Sequence, residues 1–261
     1  TQAAGSSGLY YLNVYQDTAT SDGSEIQFAI AYGNSEGSGS EVYNSLVDGK
    51  SPTSTVFGQY QNLVLGDENT NFVFGNITSS EFFAMPIERA RYKEKLFLGS
   101  TTLSLKNGND RIVLTDDSAY VSSVTFTEAG RLFQLISGSQ GVRTSTPKDG
   151  DGNGWTVASG SYGWLLPDIG TILLNPLALT ASAADGGLAL AFSGSNFSGS
   201  LNYLPATNAN SAIYKAISAS AVNPNGVSFF LNSEETITSD FIFVRPRTSA
   251  YNYSENPSFI S

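Results

Sequence analysis

The chain has 261 residues, a net charge of −10 from 13 Lys plus Arg against 23 Asp plus Glu, and neither His nor Cys. It therefore lacks the commonest acid-base group, the thiolate nucleophile and the side chains of ordinary zinc sites. Lacking a basic stripe that could neutralise phosphates, it is not expected to have nucleic acid as a partner. Charged residues make up only 14% against an ordinary hydrophobic 40%, and neutral polar residues and 26 Gly fill the difference. So little charge suits a subunit covered by neighbours better than a dispersed monomer. No apolar run nears the about 20 residues of a membrane span, so no membrane partner is expected. The first eight residues lack the charged-then-apolar order of a signal peptide, and the missing initiator Met points to trimming or a fragment.

In chain order, Leu9–Tyr15 reads as a strand. Glu25–Tyr32 does so more clearly, because Ile26, Phe28, Ile30 and Tyr32 recur at a period of two. Gly33–Ser40 reads as a Gly/Ser-rich turn. Val56, Tyr60, Leu63 and Val64 then recur near helical spacing, which predicts a short helix over Thr55–Leu65 closed near Gly66. Strands are predicted over Asn71–Phe74, Glu81–Arg91, Thr101–Leu105, Arg111–Leu114 and Arg131–Ile136, each rich in aromatic or branched residues between turn formers. Beyond the glycine-rich turn Asp149–Gly154 come strand-like pieces at Trp155–Ala158, Gly163–Leu166 and Thr171–Leu174, then a low-complexity region from Leu177 to Leu201.

Ser211–Val222 predicts an amphipathic helix packed on a sheet, with Ile213, Ala216, Ile217 and Ala221 on one face and Asn210 or Ser211 as the cap. Val227–Leu231 and Ile237–Arg247 read as the last strands, ahead of an aromatic tail from Tyr251 to Ser261. The pattern describes a mostly β fold, with short strands in sandwich-like sheets and one or two short helices. Two lobes, 1–138 and 155–261, joined by a turn-rich connector over 139–154, are one organisation that fits; a single domain is the other.

The motifs offer little catalytic chemistry. Gly33-Asn34-Ser35-Glu36-Gly37 has the spacing of a hydrolase nucleophile elbow, but Gly and Ser follow it instead of a helix, and no His is present to activate Ser35. A Ser-Lys arrangement would need Lys50 or Lys106, so a structural turn is the favoured reading. Asp149, Asp151 and Asn153 match the first alternating ligands of a calcium loop, yet the closing position is Gly160, so a β-turn is favoured over a metal site. The neighbouring carboxylates Asp116 and Asp117, and Glu234 and Glu235, are poorly placed to cooperate and read as solvated loops. No cofactor is expected, and the chain reads as non-enzymatic.

The interface candidates are Glu88, Arg89, Arg91 and Lys93, from the one dense cluster of alternating charge, which reads as a salt-bridged surface or docking site. To these are added Arg245 and Arg247, available for carboxylates on a partner, and Tyr251, Tyr253 and Phe259 of the tail. An aromatic content of 12% would also suit a glycan-binding face, although Tyr and Phe on strands more often fill a core or an interface.

The stretches Gly37–Ser40, Ser51–Thr55, Gly58–Gly66, Phe72–Asn76, Ile87–Leu96, Glu128–Arg131, Ile172–Leu179, Phe243–Arg247 and Tyr251–Pro257 together resemble a family of virion structural proteins of contractile-tailed phages infecting marine cyanobacteria. The tail departs from the family pattern, since Pro246 and Thr248-Ser249-Ala250 stand where a more polar stretch is expected. The resemblance implies a tail or baseplate component of the virion, assembled in the host cytoplasm in multiple copies with other phage structural proteins as partners. A receptor- or glycan-binding tail module and a capsid or neck decoration protein are the alternatives.

Overall fold

The computed structural model describes residues 3–4, 8–9, 11–17, 20–37, 52–144, 160–190, 209–221 and 228–245. Their architecture is mostly β, a curled antiparallel sheet with a few short helices. The predicted strands at Trp155–Ala158 and the aromatic tail lie outside the described residues, as does the end of the low-complexity region.

The sheet begins at β1 (Tyr11–Tyr15) and β2 (Ile26–Asn34), paired from Tyr11 against Ala31 to Tyr15 against Ile26, with a bulge after Val14. The period of two in β2 holds, since Phe28, Ile30 and Tyr32 all point into the core. Helix α1 (Pro52–Tyr60) starts on a proline, which loses no helical hydrogen bond at the first position. It runs on through a π-helical turn, Gln61–Leu65, and ends at Gly66 with φ +71°, where only glycine avoids a steric penalty. The helix lies on β2, and Gly33 makes the fit: a Cβ there would stand 2.8 Å from Phe82 Cζ and 3.3 Å from the Phe57 Cα.

The hairpin β3 (Phe72–Phe74) and β4 (Ile77–Ser79) precedes β5 (Glu81–Pro86), an interior strand of the sheet. The predicted strand Glu81–Arg91 ends early at Pro86, and Arg89–Arg91 form a 3-10 turn instead. The Arg89 guanidinium holds that turn by donating to the Tyr92 and Lys93 carbonyls while lying 4.5 Å over the Tyr92 ring. After β6 (Lys95–Leu96) come the hairpin β7 (Thr102–Asn107) and β8 (Asp110–Asp116), then β9 (Thr125–Thr127), β10 (Gly130–Ser139) and β11 (Val142–Arg143). The strands β12 (Gly163–Leu166) and β13 (Thr171–Leu174) follow, then α2 (Pro176–Thr180), capped by Asn175, whose side chain accepts the Leu177 N–H at 3.1 Å. Helix α3 (Ala209–Ala221), β14 (Phe229–Phe230) and β15 (Ser233–Glu234) are the last described elements, and ahead of β1 the residues Ala3–Ala4 pair with Gly8–Leu9 in a separate two-stranded ladder.

Along the main path the neighbours are β14, β7, β8, β10, β12, β13, β5, β2 and β1, with β9 and β11 also on β10. β10 and β12, which flank the 139–154 stretch, are hydrogen-bonded neighbours, through Phe133 opposite Leu165. The central strands are apolar throughout because both their faces are covered. Phe83, Met85, Leu165, Ile172 and Leu174 join one cluster with Leu179 of α2 and Ile213 and Ile217 of α3, while Phe82, Ala84, Trp164, Leu166 and Leu173 join another with Phe57, Val64, Phe72 and Phe74. In the second cluster aromatic rings meet edge-on or tilted, as for Phe72 with Phe82 at 4.9 Å and with Trp164 at 5.7 Å, or stacked, as for Phe57 with Phe82 at 5.4 Å. Each such side chain contributes roughly 1.5 to 3 kcal/mol by leaving water.

Helix α3 buries Ile213, Ala216 and Ile217 against β7, β2 and β1, as its periodicity predicts. It therefore spans the two ends of the sheet. There the Phe28 ring of β2 meets Phe229 of β14 edge-on at 5.2 Å, so the curl brings first and last strands together.

Candidate functional site

Lys93, Glu94 and Lys95 of the charged cluster form a clamp on the C-terminal segment of their own chain, while Arg91 pairs back onto the approach to β2. Arg91 pairs with Glu25 at 2.5 Å, Lys93 with Glu235 at 3.8 Å and Lys95 with Glu234 at 3.3 Å. Alternation of charge in the sequence thus becomes alternation of partners. Beneath the ion pairs the backbone forms a short ladder: β6 pairs with β15, Glu94 N–H donates to Glu234 O at 3.2 Å and Phe97 N–H to Asn232 O at 2.9 Å. The Glu94 carboxylate accepts the Thr236 N–H at 2.9 Å, and hydrogen bonds from Thr236 hold its pKa below the ordinary value. Glu88 is exposed, its N–H donating to Gln27 O at 2.9 Å and its carbonyl accepting from Arg91 N–H.

Past Thr236 the support ends. The predicted strand Ile237–Arg247 is not formed over 237–245, because no neighbouring strand offers it donors or acceptors among the described residues. Ile237, Phe241, Ile242, Phe243 and Val244 are 80, 83, 85, 94 and 80% exposed. Arg245 is exposed at the end of this arm and makes no ion pair among the described residues, so the structure does not bring it to the Glu88–Lys93 cluster. Arg247, Tyr251, Tyr253 and Phe259 lie outside the described residues, as do Asp149, Asp151 and Asn153. The sequence flagged the clamp; it gave no sign that the apolar run beyond would be bare, since composition alone reads it as a core strand.

Beside the clamp a groove runs between β1, α3 and β14. Val14, Tyr15, Phe28, Ile217, Phe229 and Leu231 supply its apolar lining, and Arg91 is the one charged residue on its wall among the described residues. The outer edge of β1 and that of β14 each lack a partner strand among the described residues.

The remaining motifs serve the fold. Gly33–Gly37 closes β2 in a turn, with Asn34 Oδ1 accepting the Glu36 N–H at 2.9 Å and Gly37 N–H donating to Asn34 O at 3.0 Å. Asp116 and Asp117 are not the solvated loop the sequence suggested. Asp116 is fully buried and accepts the Gly99 N–H on both oxygens at 3.0 and 3.1 Å, together with the Ser118 hydroxyl. Asp117 accepts the Gln134 N–H at 3.0 Å; loss of hydration on burial, joined by the nearby Asp116, raises its pKa to about 6. Glu234 and Glu235 are likewise ion-paired to lysines. Among the described residues no three acidic side chains come together as metal ligands, and no helix is long and apolar enough to cross a membrane. Trp164 and Tyr162 are buried in the core. Comparison with family models, with curated proteins and with solved structures returned no match.

Proposed function

We propose that the chain is a non-enzymatic virion structural protein of a contractile-tailed bacteriophage, a tail or baseplate component that works through protein–protein contacts in multiple copies. The observation that carries this reading is the arm. Five large apolar side chains stand in water on a segment rooted by ion pairs and a ladder. Contiguous exposed apolar surface of this kind marks a contact with another molecule. The low charge density supports the same reading, and the net charge of −10 argues against nucleic acid as the partner. The phage assignment rests on the resemblance of the stretches from Gly37 to Pro257. On this reading the protein is assembled in the host cytoplasm and resides in the virion.

The test is incorporation. The wild-type chain should be found by mass spectrometry in particles purified through a density gradient, and a chain carrying Phe241→Ser and Phe243→Ser should be depleted from them at least tenfold. Particles that lack the wild-type chain, or that take up the variant equally, overturn the proposal.

A further inference from the structure

From the arm and the groove together we infer that this protein pairs with a second copy of itself, the arm of one copy lying as an added strand along β1 in the groove of the other. The inference rests on the assembly reading of the arm and names its partner. Both halves of the contact are on one chain. The arm segment Asp240–Val244 is five residues of strand-forming character, with no hydrogen bond from residues 237 to 245 to other described residues, and Leu12–Tyr15 presents a half-buried strand whose outer edge has no partner strand among the described residues. Addition of an extended segment to such an edge supplies main-chain hydrogen bonds, and side chains on alternate positions supply the fit.

The groove suits what the arm carries. Val14, Phe28, Ile217, Phe229 and Leu231 can receive Phe241 and Phe243, which lie on the same side of an extended strand. Charge does not oppose this placement, because Arg91, the one charged residue lining the groove among the described residues, is already paired with Glu25 at 2.5 Å. The area agrees as well. Phe241 and Phe243, at 83 and 94% exposure, present roughly 400 Å² to the groove, and mutual exchange of arms, each covering a like area of groove, reaches the about 800 Å² per partner of a stable interface. The chain's own arm does not fill its own groove: residues through Thr236 are held on β6 by Glu94, Lys93 and Lys95, and the apolar side chains beyond are 80 to 94% exposed.

The absence of native Cys makes a direct test available. One preparation of the full chain carries Phe243→Cys and another carries Ser218→Cys, on the exposed side of α3 lining the groove. Mixed and mildly oxidised, they should form a cross-linked pair that disappears when Phe241→Asp is added to the first chain. The wild-type chain should sediment at twice the monomer mass or more. Monomeric sedimentation without a cross-link overturns the inference. So does a third preparation carrying both Phe243→Cys and Ser218→Cys that cross-links only within single chains while the mixed single-cysteine chains do not cross-link, which would place each arm in its own groove. A chain that enters particles yet stays monomeric and uncross-linked loses only the self-pairing; one that cross-links between copies but is absent from particles loses only the virion assignment.

Discussion

Phe82-Phe83-Ala84-Met85 and Phe241-Ile242-Phe243-Val244 are nearly interchangeable as sequences, yet the first four residues are fully buried and the second four are 80 to 94% exposed. The first run sits in β5 with a hydrogen-bonded strand on each side, β2 and β13, and a hydrophobic cluster over each face. The second has neither. An apolar run states a demand for cover, and only long-range pairing decides whether the same chain meets it.

The comparison can be broken at its strongest point first. Phe83→Ala should lower unfolding free energy by about 3 to 5 kcal/mol in urea denaturation followed by Trp fluorescence, because the surrounding cluster cannot close around the lost ring. Less than about 1 kcal/mol would mean that β5 is not the closed core described. Next in size is Asp116→Ala, which strands the Gly99 N–H beside a buried void and should cost about 1 to 3 kcal/mol by the same measurement.

A smaller effect is pH-dependent. The folded-state pKa of Asp117 is raised to about 6, above the unfolded value near 4, so the native state binds a proton across that window and the unfolded state does not. This group alone therefore adds stability as pH falls from about 6 towards 4. The Tm of the wild type should gain on that of Asp117→Asn over the same range, and parallel Tm curves would refute it.

The smallest effects belong to the second run. At a dilution where the chain is monomeric, Phe243→Ser should change unfolding free energy by no more than about 0.5 kcal/mol, because its ring is 94% exposed. Lys93→Ala should cost at most about 1 kcal/mol, since its ion pair with Glu235 is exposed on both sides. A loss of several kcal/mol at Phe243 would make the arm part of the fold and erase the contrast.

Local signals carried much of the architecture. Alternation set β2, apolar runs set β12 and β13, and 3.6-residue spacing set α3, although Asn210 and Ser211, expected as its cap, lie inside the helix, which starts at Ala209. What was illegible was of two kinds. Asp116-Asp117-Ser118 has the composition of a solvated loop, and its burial comes from backbone donors at Gly99 and Gln134 that are 17 residues away in each case. The curl that sets Phe28 against Phe229 likewise depends on register summed over the sheet, which no window of sequence contains. The clamp fell between: its charges were plain, but their partners at Glu25, Glu234 and Glu235 were not.

The clamp also fixes how the molecule would respond to a pull. Tension on the arm first meets the Thr236 hydrogen bond, then the two lysine ion pairs and the two-residue ladder of β6 and β15, before any strand of the main sheet is loaded. Each of those links is short or solvent-screened and can re-form after it opens. The root of the arm is therefore a sacrificial link in series with the sheet, lengthening under load while the two aromatic clusters behind it stay intact.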